Sequence, residues 1–197
     1  MTDFLIATNN QHKIQEFKRI LLPLGINVIS AKDAGIDLGD VEENGSTFKE
    51  NSKIKAISSY RKSGMPSIAD DSGLCVDYLD GAPGVYTARY GGENLTQEQR
   101  NALLLKNLES AQNRTAKFVC SICCVFSETD CVEVHGECIG SIAHTPSGNG
   151  GFGYDPIFEY NGKSVADMSD AEKDAISHRG TALRALKTEL SKRKDVL

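Results

Sequence analysis

Two long apolar runs, "TAKFVCSICCVFS" (115–127) and "CVEVHGECIGSIA" (131–143), stand either side of the tripeptide "ETD". Strand formers separated by a short polar turn predict a β-hairpin. A lone hairpin is marginal in water, so the chain must supply further strands and a covering layer. "FLIAT" (4–8), "INVIS" (26–30) and "PSIAD" (66–70) read as short strands, the last continued by "SGLCVDYL" (72–79). In "HKIQEFKRILLPLG" (12–25), Ile14, Phe17, Ile20 and Leu21 fall at helical spacing, and Gly25 is a stop. Thr47 with Glu50, Thr96 with Gln99 and Ser169 with Glu172 each form a capping box. They predict helices running to about Lys62, Ser110 and Ser177. "RGTALRALKTELSKR" (179–193) predicts a C-terminal helix. Strands and helices mix without strict alternation, which points to an α/β fold around one mixed sheet with flanking helices. The length, 197 residues, fits a single domain, or two lobes sharing that sheet.

The formal net charge is −5, which argues against general nucleic-acid binding while allowing a local basic pocket for a small anion. The N-terminal stretch "MTDFLIATNNQHK" lacks the basic region and apolar core of a signal peptide, and no segment approaches a membrane span. A cytoplasmic location is therefore expected. Of the six cysteines, Cys120 and Cys123 have the spacing of a metal or redox pair. On a strand, however, residues three apart point to opposite faces, so the reading is buried free thiols.

Five segments carry candidate chemistry. In "SIADDSGLCVD" (67–77), Asp70 and Asp71 stand side by side where the apolar run stops. Paired carboxylates suit Mg²⁺, which takes a few carboxylate oxygens and completes its shell with water and phosphates. One acid can hold the ion while its neighbour takes a proton from water. The alternative is a turn with solvated acids, since Asp-Asp-Ser-Gly is also good turn chemistry. In "TNNQHK" (8–13), Thr8, Asn10 and Lys13 surround a strand-to-helix junction whose free N–H groups can meet a phosphate. In "TFKENSKIKA" (47–56), Asn51 and Lys55 share one helix face, and the preceding Glu42 and Glu43 add carboxylate oxygens. In "GGFGYD" (150–155), glycines allow close approach, Phe152 or Tyr154 can stack on a flat base, and Asp155 is an acceptor. In "EKDAISHRG" (172–180), Lys173, His178 and Arg179 cluster, and Arg179, with donors only, favours a carbonyl over an amino group. Together these are the parts of a nucleoside triphosphate site.

The same segments, with "ADDSGLCVDYLDGAPGVYTARY" (69–90) and "EKDAISHRGTAL" (172–183), resemble in order the motifs of the inosine triphosphate pyrophosphatase family, from residue 5 to about 186. Asn9 stands where that family more often has glycine, and asparagine tolerates left-handed geometry. The resemblance implies an elongated fold of two lobes around a central cleft, working as a homodimer. It implies Mg²⁺-dependent hydrolysis of ITP, dITP and XTP to the monophosphate and pyrophosphate, removing them from the nucleotide pool. Asp71 matches the proton acceptor and a metal ligand, with Glu43 as second ligand and Asp70 in support. Thr8, Asn10, Lys13, Lys55, Ser72 and Lys173 match the substrate's triphosphate contacts, and Asn9, the departure among them, is expected to stand with them at the substrate. Phe152, Gly153, Tyr154 and Asp155 match the base-holding loop, and His178 and Arg179 match the contacts to the purine's carbonyl edge. Two other classes fit fewer of the segments: a nucleotide-binding regulatory module without turnover, and a hydrolase of modified pyrimidine triphosphates.

Overall fold

Short apolar segments and capped helices assemble around one sheet. The computed structural model describes residues 3–193. Strands β1 (Asp3–Ile6), β2 (Asn27–Ser30), β3 (Ser67–Val76), β4 (Thr115–Val125), β5 (Cys131–Ile142), β6 (Phe158–Tyr160) and β7 (Lys163–Ser164) form a seven-stranded sheet in the order β2-β1-β3-β4-β5-β6-β7. The sheet is mixed. β1 is parallel to β2 and to β3, while β6 is antiparallel to β5 and to β7. The hairpin expected from residues 115–143 is β4 and β5, closed by the Phe126 N–H donating to the Asp130 carbonyl at 2.9 Å.

Helices α1 (Gln11–Leu21), α2 (Phe48–Ser63), α3 (Gln97–Asn107), α4 (Asp170–Ile176) and α5 (His178–Leu190) flank the sheet. All three expected capping boxes are made: Thr47 with Glu50, Thr96 with Gln99, Ser169 with Glu172. α1 passes into a short 3-10 turn and stops at Gly25, whose φ of 80° is the left-handed geometry that ends a helix.

The chain forms two compact units: Met1–Asp71, Cys120–Gly136 and His178–Leu197 in the first, Ser72–Val119 and Glu137–Ser177 in the second. In the first, α1 and α5 cover one face of the sheet. Ile14, Phe17 and Leu21 of α1 and Leu183, Leu186 and Leu190 of α5 bury against Phe4, Ile6, Ile68, Cys120, Ile122 and Cys124. Each large apolar side chain buried in this way stabilises by about 1.5–3 kcal/mol. The opposite face packs on α2, where Ala69, Cys123 and Val125 meet Ala56 and Ile57. Strand alternation is thus visible side chain by side chain: Ile68 on one face and Ala69 on the other, Cys120 on one and Cys123 on the other. All six cysteines are free thiols. In the second unit, Leu74, Leu104, Leu108, Phe118, Ile157 and Phe158 make a separate core.

Candidate functional site

The alternation that sorts Ile68 from Ala69 sorts the two acids that follow. Asp70 continues the Ile68 face toward α1 and α5. Lys13 Nζ lies 2.9 Å from its Oδ2, and Arg179 Nη2 donates to the same oxygen at 3.1 Å. Arg179 also pairs with Glu16 on α1. Asp70, Glu16 and Arg179 are 2%, 5% and 2% exposed, so this network is inside the protein. Lys13 and Arg179 hold the Asp70 carboxyl well below the ordinary carboxylate range, outweighing the opposing effect of burial. Two carboxylates and burial also act on Arg179, and the balance raises its pKa further.

Asp71 faces α2 instead. Its Oδ2 accepts from Asn51 Nδ2 at 3.2 Å, and its Oδ1 lies 3.3 Å from Lys55 Nζ. Lys55 Nζ also reaches Glu43 Oε2 at 2.7 Å, so one ammonium bridges two carboxylates. Burial raises the Asp71 pKa, and the Glu43 charge adds to the rise against the opposing pull of Lys55. The adjacent acids are therefore relieved by lysine and arginine on opposite faces of β3, and they occupy different chemical settings. An ion held between Asp70 and Asp71 themselves does not fit this alternation. Asp71 with Glu43 is the carboxylate pair that converges.

At the start of α1, Asn10 is the N-cap, its Oδ1 accepting from the N–H groups of His12 and Lys13 at 3.0 and 3.3 Å. Thr8 Oγ1 accepts from Asn10 N–H at 3.2 Å. Those two helix N–H groups are thus already capped, which corrects the expectation that they stand free for a phosphate. Lys13, one turn in, keeps its ammonium on Asp70. Asn9 is exposed and is not among the described residues with positive φ, so replacing the commoner glycine costs no strain. His178 is buried at the first turn of α5.

The second unit holds the glycine-rich loop. Asp155, 4% exposed, accepts from the Phe152 N–H at 2.8 Å and from Lys173 Nζ at 2.7 Å. Lys173 Nζ also sits 4.3 Å from the centre of the Phe152 ring, a cation–π contact. Lys173 is therefore built into the aromatic loop. Gly151 has a φ of 69°, and a Cβ there would lie 2.3 Å from Asp155 Oδ2, so the turn requires glycine. Tyr154 is 2% exposed, packs in the core of its unit and donates its hydroxyl to the Thr87 carbonyl at 3.0 Å. That corrects the alternative in which Tyr154 stacks on a base; Phe152, half-buried, is the ring left for that role. Ser72 is half-buried at the start of the second unit.

Two residues of these clusters, Glu16 and Asn101, escaped the sequence reading, and Asn51 was named there without a role. Glu16 is buried on α1 with Ile14, Phe17 and Leu21, and a charge among the buried positions of an apolar helix was the available signal. Asn51 gave its signal as the i,i+4 partner of Lys55. Asn101, buried on α3, donates to the Gly153 carbonyl at 3.1 Å, and nothing local in sequence indicates it.

A model of the Ham1 family matches residues 4–189. The chain is 46% identical to the dITP/XTP pyrophosphatase of Clostridium perfringens, over 96% of this chain and 98% of that one. It superposes on a solved HAM1 protein from Coxiella burnetii with a TM-score of 0.88 at 40% identity, covering 98% of this chain and all of the other, 100%. The Ham1 protein of Staphylococcus aureus gives a TM-score of 0.86, also at 40% identity, over 98% of this chain and 100% of that one. The family match over residues 4–189, the sequence identity and the near-complete coverage agree, and the chain belongs to the Ham1 family.

Proposed function

We propose that this protein hydrolyses non-standard purine nucleoside triphosphates, dITP, ITP and XTP, to the monophosphate and pyrophosphate, removing them from the nucleotide pool. The observation that carries the reading is the Glu43–Lys55–Asp71 cluster, in which a carboxylate of raised pKa stands beside an ammonium and a second carboxylate. The Clostridium perfringens relative, a dITP/XTP pyrophosphatase, supports the substrate class.

In this reading Asp71 is the general base. A carboxylate whose pKa is raised toward neutrality takes a proton from water more readily than an ordinary one. Lys13 and Lys55 meet negative charge on the polyphosphate, and they are prepaired with carboxylates so that their positions are set before substrate arrives. Glu43 and Asp71 would hold a Mg²⁺ ion. Among the described residues no group of three or more His, Cys, Asp or Glu side chains converges, so water and phosphate oxygens would complete the shell, as is usual for this ion. When bound, the ion supplies charge stabilisation on the phosphate oxygens. Phe152 stacks on the base, with a contribution of about 1–3 kcal/mol. His178 and Arg179 donate to the 6-carbonyl of hypoxanthine or xanthine, with the plane of Arg179 fixed by Asp70 and Glu16. Adenine, with an amino group there, leaves those donors unpaired. We further propose a cytoplasmic homodimer; light scattering on the purified chain tests the dimer.

The deciding experiment incubates the protein with dITP, XTP, ITP and ATP plus Mg²⁺ and resolves the products. Pyrophosphate and monophosphate from the first three are expected, with ATP poorer by about 10²-fold or more in kcat/KM. Orthophosphate as the sole inorganic product, or equal turnover of ATP, overturns the proposal.

A further inference from the structure

Residues 39–45, which include Glu43, form no regular secondary structure. The loop is largely exposed, with Val41 and Gly45 half-buried. A cavity of about 860 Å³ is lined by Asp40, Val41, Glu42 and Asn44 of the loop and by Ile54 and Ile57 of α2. Glu43 itself is exposed, so packing does little to place it, and polar contacts do so instead. At the loop's end the Gly45 N–H donates to Asn51 Oδ1 at 2.9 Å, and Asn51 Nδ2 donates to Asp71 Oδ2 at 3.2 Å. Asn51 is 3% exposed, so both ends of a buried amide are committed. One helical turn on, Lys55 spans Glu43 and Asp71. The circuit Gly45–Asn51–Asp71–Lys55–Glu43 closes on itself. Gly45 sits tightly in it: a Cβ there would lie 2.6 Å from Asn51 Oδ1 and 2.7 Å from Glu50 Cβ.

We infer that Asn51 is a positioning residue, which orients Asp71 through its amide nitrogen and anchors the Glu43 loop through its amide oxygen, so that the two carboxylates converge on one cation. The inference rests on the proposed function, and it assigns to Asn51 a role separate from that of helix α2's capping box, which uses Thr47 and Glu50. Lys55 can bridge the two acids only while the loop end stays docked on the helix. The amide is the one group among those named that touches both the loop backbone and Asp71.

The test measures three quantities on the full chain: Mg²⁺ affinity by calorimetry with a non-hydrolysable dITP analogue present, kcat and KM for dITP, and the urea midpoint. Asn51→Leu removes both hydrogen bonds at similar volume. Gly45→Ala keeps Asn51 but crowds the loop end off it, and it lies outside regular structure. Both variants are expected to lose about 10- to 100-fold in Mg²⁺ affinity and in kcat, as removal of an outer-shell partner typically does. KM for dITP is expected to stay near the wild-type value, because the base loop is untouched. Thr96→Ala, which removes the cap of α3 in the other unit, controls for a general loss of stability. Unchanged Mg²⁺ affinity in both variants overturns the inference. So does an equal loss of affinity in Thr96→Ala. If the wild type releases no pyrophosphate, the proposed function fails, while the Mg²⁺ titration still decides the role of Asn51.

Discussion

Asp70 and Asp71 share a residue type and a neighbourhood, yet burial and partners separate them. Asp70 has a lowered pKa, so its contribution to stability is complete above its unfolded value of about 3.9 and is lost as pH falls from there toward the lower folded value. Asp70→Asn leaves Lys13 and Arg179 facing a neutral amide inside the protein, and removing one partner of a buried ion network costs about 3–5 kcal/mol. We expect that loss in the urea midpoint at pH 7, shrinking as pH drops below about 4. Asp71 has a raised pKa, so its charged form is disfavoured by folding. Asp71→Asn should leave the urea midpoint unchanged or higher, while kcat falls by about 10²–10⁴ and nucleotide binding survives. In the metal-free enzyme the Asp71 carboxyl should titrate above the ordinary aspartate value of about 3.9 when followed by NMR, and added Mg²⁺ should pull it down. Had the two variants behaved alike, the division of labour between the faces of β3 would be wrong. In the sequence two carboxylates stand side by side and read as a strand end or turn; the structure corrects this, since β3 runs unbroken through both acids to Val76. Which one was the anchor was not legible, because that depends on which helix covers each face.

At the scale of elements, what the sequence made legible was what local chemistry determines. The three capping boxes, the α1 stop at Gly25 and the opposite facing of Cys120 and Cys123 follow from side-chain reach and strand period alone. The β6–β7 hairpin was missed although Asn161 and Gly162, both at positive φ, are a strong turn signal; strands of three and two residues are too short to show alternation. Contacts between distant elements were not legible at all. Gly136 on β5 is one example, since a Cβ there would lie 2.3 Å from the His178 carbonyl oxygen and 2.5 Å from the Ala182 nitrogen. Those are backbone atoms at the start of α5 and cannot swing aside. Gly136→Ala should therefore push the first turn of α5 outward, at a cost of about 1–3 kcal/mol in the urea midpoint. Because that turn carries His178 and Arg179, the ratio of ITP to ATP turnover should fall in the same variant. A drop in stability with the ratio intact would mean that α5 moves as a rigid rod and keeps its donors aimed.

For the whole molecule, chain connectivity sets the cooperativity. The chain passes from one unit to the other after residues 71, 119, 136 and 177, and β3, β4 and β5 each begin in one unit and end in the other. Neither unit is a continuous piece of sequence, so neither can lose its strands without fraying strands that continue into the other. Unfolding should then be a single all-or-none transition, as is usual for chains of this size only when no part can come apart alone. The composition supplies a probe for each unit. There is no tryptophan, and of the six tyrosines Tyr78, Tyr86, Tyr90, Tyr154 and Tyr160 lie in the second unit. The buried thiols Cys120 and Cys123 lie in the first, and burial pushes both up to about 12, so they stay unreactive toward a disulfide reagent while that unit is folded. Tyrosine absorbance and thiol reactivity followed through one urea series should give the same midpoint. Thiols that react at a lower urea concentration than the tyrosine transition would show the first unit opening by itself, Cys120 reporting its α1–α5 face and Cys123 its α2 face. In that case Asp70, Lys13 and Arg179 would lose their geometry while the Phe152 loop was still in place.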